Sequence, residues 1–122
     1  MKNLRVLIVD TVKDDGEHTA SFLRQQGHTV MFAENGEEGV QMAERELPDL
    51  ILMDVVMPVV NGFQATRQLS KSEVASRIPV IVISCKDEET DKLWAMQQGA
   101  KAYLTKQVDK ASLFDAIETV MA

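Results

Sequence analysis

Five short apolar runs recur along the chain, at Leu4–Val9, Thr29–Ala33, Leu50–Met53, Val80–Ile83 and Ala102–Leu104. Most are rich in Val, Ile and Leu and barely alternate with polar residues. A strand wetted on one face alternates, whereas a strand covered on both faces does not. Runs of this kind therefore read as buried parallel strands. Amphipathic stretches of helical length separate them, at roughly Asp15–Gln26, Gly36–Glu46, Gly62–Leu69, Glu88–Gln98 and Asp109–Met121. The inward faces are read as Thr19, Phe22 and Leu23; Val40 and Ala43; Phe63, Thr66 and Leu69; Leu93 and Met96; and Leu113, Ala116, Ile117 and Val120. Gly27 and Gly99 follow two of these stretches as stop signals, and Asp109 precedes the last as an N-cap. Strand and helix alternating five times predict an α/β fold, a parallel sheet with helices on both faces and right-handed crossovers.

Length and composition narrow the functions open to such a fold. The 122 residues suit one domain, with no linker, repeat or low-complexity segment in view. No apolar run approaches the ~18 residues of a membrane span, and "MKNLRVLIVD" reads as a first strand rather than a signal peptide. The net charge of −6, with no basic run, lacks the footprint of nucleic-acid binding. The single cysteine, Cys85, forms no internal disulfide and fits a reducing cytoplasm. It reads as a small packed residue, not a nucleophile, and His18 and His28 read as surface residues.

In an open parallel sheet the site lies beyond the carboxyl ends of the strands. The residues found there are Asp10, Asp54, Ser84 and Lys106. Each alone reads as a turn, cap or solvated residue. Two carboxylates, a hydroxyl and an ammonium on one sheet edge suit phosphoryl transfer to a carboxylate. An aspartate attacks phosphorus to give an acyl phosphate, while a cation, an ammonium and a hydroxyl offset the charge on the phosphoryl oxygens.

The motifs "LIVD", "AENGEEGV", "PDLILMDVVMPVVNG", "IPVIVIS" and "GAKAYLTK", in this order and spacing, resemble the response-regulator receiver domains of the CheY type across essentially the whole chain. "NGFQATRQL" and "KDEETDKLWAMQQGAKAYLTK" are similar to the PilH-type regulators of twitching motility. The resemblance implies a single flavodoxin-like (βα)5 domain in three layers, strand order 2-1-3-4-5, without an output domain. It implies Asp54 as phosphoacceptor, Ser84 as switch hydroxyl, Lys106 as the phosphoryl-contacting lysine and Tyr103 as the aromatic that changes rotamer. Mg²⁺ would be held by Asp10, Asp54 and the backbone carbonyl of Val56. Met57, Pro58 and Gly62 would shape the loop after Asp54, Gly62 by permitting backbone geometry that other residues resist. Trp94 and Tyr103 would lie on a partner surface. A histidine kinase or other phosphodonor and a downstream target protein are the implied partners, of a monomer or weak dimer that inserts in no membrane.

Two departures qualify the resemblance. Thr11 stands where the family carries a metal-binding acid, which predicts weakened Mg²⁺ binding. Lys13 reads as solvated, and Asp14 and Asp15 as helix-start acids favoured by the dipole rather than as substitutes at the site. Gln107 stands where the family carries a proline. A cis bond before a non-proline costs roughly 3 kcal/mol, so a trans bond and a displaced Lys106 are expected. The readings left are a signalling switch phosphorylated on Asp54 and a degenerate receiver that binds partners without phosphate or metal. Enzymes on the same fold are disfavoured. A phosphatase would carry an acid at Val56, and a nucleotide or flavin protein a Gly-rich loop after the first strand.

Overall fold

A computed structural model describes residues 3–57 and 60–122. Its elements are β1 (Arg5–Val9), α1 (Lys13–Gln25), β2 (Thr29–Ala33), α2 (Gly36–Glu46), β3 (Leu50–Met53), α3 (Gly62–Lys71), β4 (Val80–Ser84), α4 (Glu89–Gln97), β5 (Ala102–Thr105) and α5 (Lys110–Met121). The strands form one parallel sheet in the order β2-β1-β3-β4-β5. Both the alternation and the order match the expectation.

The runs of the three inner strands, β1, β3 and β4, have little polar alternation because both strand faces are covered. Leu7, Val9, Ile51, Met53, Val80 and Val82 point to one side, where they meet Ala43 of α2, Ala65 and Leu69 of α3 and Ala95 of α4. Val6, Ile8, Leu50, Leu52, Ile81 and Ile83 point to the other, against Ala20 and Leu23 of α1 and Leu113 and Ile117 of α5. Successive strand residues thus feed two cores.

Local signals fix the helix starts. Asn35 accepts from the Glu38 amide at 2.8 Å, and Asp109 from the Ser112 amide at 3.0 Å. Asn61 and Gln64 form a reciprocal capping box. Gly27 and Gly99 take positive φ beyond α1 and α4, the backbone region glycine reaches at least cost.

Helix α4 departs from the expected pattern. Leu93, Trp94 and Met96 are exposed, and its buried residue is Ala95. Ala95 is small enough to lie directly on the sheet side, which leaves the larger side chains outside. His28 is also not at the surface. It is 4% exposed, and its Nδ1 accepts from the Leu4 amide at 3.0 Å. That bond fixes the neutral tautomer with the proton on Nε2, and Nε2 is buried without a partner among the described residues. His18 is half-buried, with Nε2 2.8 Å from the Val108 carbonyl.

Candidate functional site

The site is assembled by the sheet register. Ile8 lies opposite Leu52 and Val9 opposite Met53, so the next residue of each strand, Asp10 and Asp54, leaves the sheet at the same level. Backbone bonds hold both there: Asp54 N–H donates to the Val9 carbonyl at 2.9 Å and Asp10 N–H to the Ala33 carbonyl at 3.0 Å. On the far side Ser84 is paired with Thr105. Lys106 N–H then donates to the Ser84 carbonyl at 2.8 Å, which carries the ladder one residue past β5. All four strand-end residues named from the sequence therefore share one edge.

Lys106 is the centre of the cluster. Its Nζ lies 3.0 Å from Asp10 Oδ2, 2.9 Å from Asp15 Oδ2 and 3.4 Å from Asp54 Oδ1. The side chains are 12%, 8%, 22% and 5% exposed for Lys106, Asp10, Asp15 and Asp54, so water screens these contacts little. Burial alone would lower the lysine pKa. Hydrogen bonds to Asp15 and Asp10 and the charge of Asp54 outweigh it and hold the ammonium above its ordinary value. Burial pushes the Asp54 carboxyl up, the charge of Asp10 adds to this, and Lys106 opposes it. Lys106 holds the Asp15 carboxyl below its usual value.

Asp15 was missed by sequence reasoning, which left it at the helix start as a dipole acid. The first turn of α1 instead aims it into the site. The signal was present: Asp15 lies one turn before Thr19 on the stripe that continues to Leu23, and Gly16, Thr19, Ala20 and Leu23 are buried. Extending that stripe back one turn places position 15 on the inward side. Its other oxygen accepts from Gln107 Nε2 at 3.0 Å. The Lys106–Gln107 bond is cis, not trans as expected, and Lys106 is not displaced. Both side chains of this dipeptide are held by the same carboxylate across the loop.

The remaining positions divide plainly. Thr11 turns away, and its hydroxyl donates to the Glu34 carbonyl at 2.9 Å. Asp10 Oδ1 accepts from the Val12 amide at 2.9 Å, which orients its other oxygen toward Lys106. The Val56 side chain is exposed. Pro58 lies outside the described residues. Gly62 is needed for space, not for unusual φ: a Cβ there would strike the Asp54 carbonyl and come within 2.7 Å of Val55 Cα. Ser84 is fully buried, and its Oγ accepts from the Lys86 amide at 3.2 Å. Tyr103 donates its hydroxyl proton to the Lys86 carbonyl at 2.6 Å. Ser84 and Tyr103 thus meet at the two ends of one residue. Trp94 is half-exposed and stands edge-on to Phe63, with centroids 6.4 Å apart.

Residues 6–118 match the response regulator receiver domain model. The chain belongs to this family. It is 51% identical over 118 residues to the protein PilH of Pseudomonas aeruginosa, covering 97% of this chain and 98% of that one. It is 33% identical over 116 residues to the response regulator PleD of Caulobacter vibrioides, of which the match covers 26%. Among solved structures, the receiver domain of the sensor histidine kinase PA1611 from P. aeruginosa superposes with a TM-score of 0.89. It is 28% identical, each chain is covered to 98%, and its active-site cleft holds a coordinated magnesium ion. The chemotaxis protein CheY4 of Vibrio cholerae superposes equally well, at 24% identity over 98% of this chain and 99% of that one. Receiver domains are signalling modules, and this one has the shared strand order.

The donors also bear on a metal. Among the described residues no group of three His, Cys, Asp or Glu is arranged to hold one. Of the three carboxylates around Lys106, Asp10 and Asp54 stand side by side at the tips of adjacent strands. Mg²⁺ is commonly held by one or two carboxylates, with waters or phosphate oxygens completing an octahedron, so the set fits Mg²⁺ with few protein ligands.

Proposed function

We propose that this receiver accepts a phosphoryl group on Asp54 and passes the signal on through changed protein contacts. The observation that carries the reading is the buried Asp54 carboxylate beside the Lys106 ammonium, held with Asp10 at the tips of adjacent strands. An Asp54 oxygen forms a bond to phosphorus as the donor's bond to phosphorus breaks, and the donor departs with the bonding electrons. Lys106 offsets the negative charge on the phosphoryl oxygens, and the Ser84 hydroxyl donates to one of them. Asp10, Asp54 and the Val56 carbonyl would hold Mg²⁺, which supplies further charge neutralisation when bound. Thr11 makes that binding weaker than an acid would.

Redirecting Ser84 toward a phosphoryl oxygen removes the acceptor of the Lys86 amide, and the Lys86 carbonyl is the partner of Tyr103. Phosphorylation thereby biases the loop after β4 and the aromatic on β5, a two-state element of the usual kind. The exposed Trp94 and the half-buried Tyr103 are the surface offered to a target protein. A histidine kinase is the donor, and the similarity to PilH supports a role in twitching motility.

Incubation with acetyl phosphate and Mg²⁺ followed by intact mass tests the reading. The expected result is a gain of one phosphoryl group that Asp54→Asn abolishes. One observation favours a second reading, a binding module independent of phosphate: Thr11 turns to Glu34 and adds no donor. No mass gain with a small donor or with a cognate kinase would select it.

A further inference from the structure

The acid missing at position 11 leaves the charge of the site unbalanced, and the structure contains a replacement from a different element. We propose that Asp15 is the positioning residue of Lys106, holding its ammonium beside Asp10 and Asp54, and that it supplies the negative charge absent at Thr11. The inference rests on the phosphorylation reading for its role in signalling, but its geometry does not.

The Asp15 contact to Nζ, 2.9 Å, is the shortest of the three, and that to Asp54, 3.4 Å, is the longest. An ammonium has three protons to give, and three carboxylates surround it. The lysine is therefore drawn toward α1 and only partly claims the phosphoacceptor. Gln107 fixes the direction of the Asp15 carboxylate by donating to its other oxygen at 3.0 Å, so one acid clamps two consecutive side chains of the loop after β5. The partners are mostly buried, where a charge left unpaired is costly. Three carboxylates and one ammonium give the cluster a formal charge of −2. An acid at position 11 in place of the one at 15 would give the same total. Asp15 thus restores the charge that attracts a cation, and its hold on Lys106 keeps the ammonium from competing fully for Asp54. A phosphoryl group on Asp54 would compete with Asp15 for the lysine.

A thermal double-mutant cycle on the metal-free protein tests the anchor. Asp15→Asn should lower Tm in the wild-type chain. In a Lys106→Met background, where the acids only repel one another, the same substitution should raise it. An equal shift in both backgrounds overturns the anchor. Should Lys106→Met not fold, hydrogen exchange of the Lys106 ammonium by NMR decides the point: faster exchange in Asp15→Asn supports the anchor, and unchanged exchange overturns it. The charge claim is tested by calorimetric Mg²⁺ titration. Asp15→Asn should bind severalfold more weakly, and Thr11→Asp added to it should restore the affinity, a rescue that a purely structural Asp15 would not allow. Equal affinity in Asp15→Asn, or no rescue, overturns this part. A wild type that binds no Mg²⁺ would contradict the metal role in the proposed function and the charge claim together, while the anchor stands or falls on the cycle.

Discussion

Asp54 pays for its position in stability. Burial and the nearby Asp10 raise its pKa in the folded chain. A group whose folded pKa is raised favours folding at low pH, and that contribution is lost as pH rises through the folded value. At neutral pH the ionised carboxylate is therefore a net burden, and Asp54→Asn, which removes the proposed phosphoacceptor, should raise Tm by a few degrees, as thermal unfolding at pH 7 would show. His28 has the opposite sign. Its folded pKa is lowered by burial, so protons bind more readily to the unfolded chain. Stability should fall as pH drops below about 6.5, the ordinary histidine value, and level off below the folded value. Urea titrations across pH 5 to 8 should show that slope in the wild type and a loss of its histidine component in His28→Gln. Residue types at strand ends made Asp10, Asp54, Ser84 and Lys106 legible. Asp15 and His28 were not recognised, because their roles depend on which way one turn of a helix or one loop faces, and a polar residue near an element's end has a solvated reading available.

Among the elements, α3 and α4 differ most in how firmly they are tied down. The start of α3 is locked against the Asp54 strand end by Gly62, where any Cβ meets backbone. Backbone cannot move aside as a flexible side chain can, so Gly62→Ala should cost about 3 kcal/mol, read by chemical denaturation. Helix α4 has one buried residue, Ala95, and carries exposed Leu93, Trp94 and Met96. Few buried contacts mean inexpensive local opening. Amides of α4 should exchange faster than those of α1, where Gly16, Thr19, Ala20 and Leu23 are buried, as hydrogen exchange would measure. Helix existence and order were readable from caps and glycines. The inward face of α4 was not, because its larger apolar residues imitate a core stripe while a single alanine makes the contact.

For the molecule as a whole, two cores divided by one parallel sheet account for the legibility of the fold. Five runs apolar on both faces admit few arrangements other than a sheet covered by helices on each side. The same topology gathers the strand-end residues of β1, β3, β4 and β5 on one edge. What the sheet does not dictate is which of three neighbouring carboxylates would take the proposed phosphoryl group. Asp10, Asp15 and Asp54 all touch Lys106, and only Asp54 is both deeply buried and least firmly held by the lysine. Borohydride reduction after treatment with acetyl phosphate and Mg²⁺ converts an aspartyl phosphate to homoserine, which peptide mass mapping locates. Homoserine at position 54 alone is the predicted result, and homoserine at position 10 or 15, or at none of the three, would contradict it.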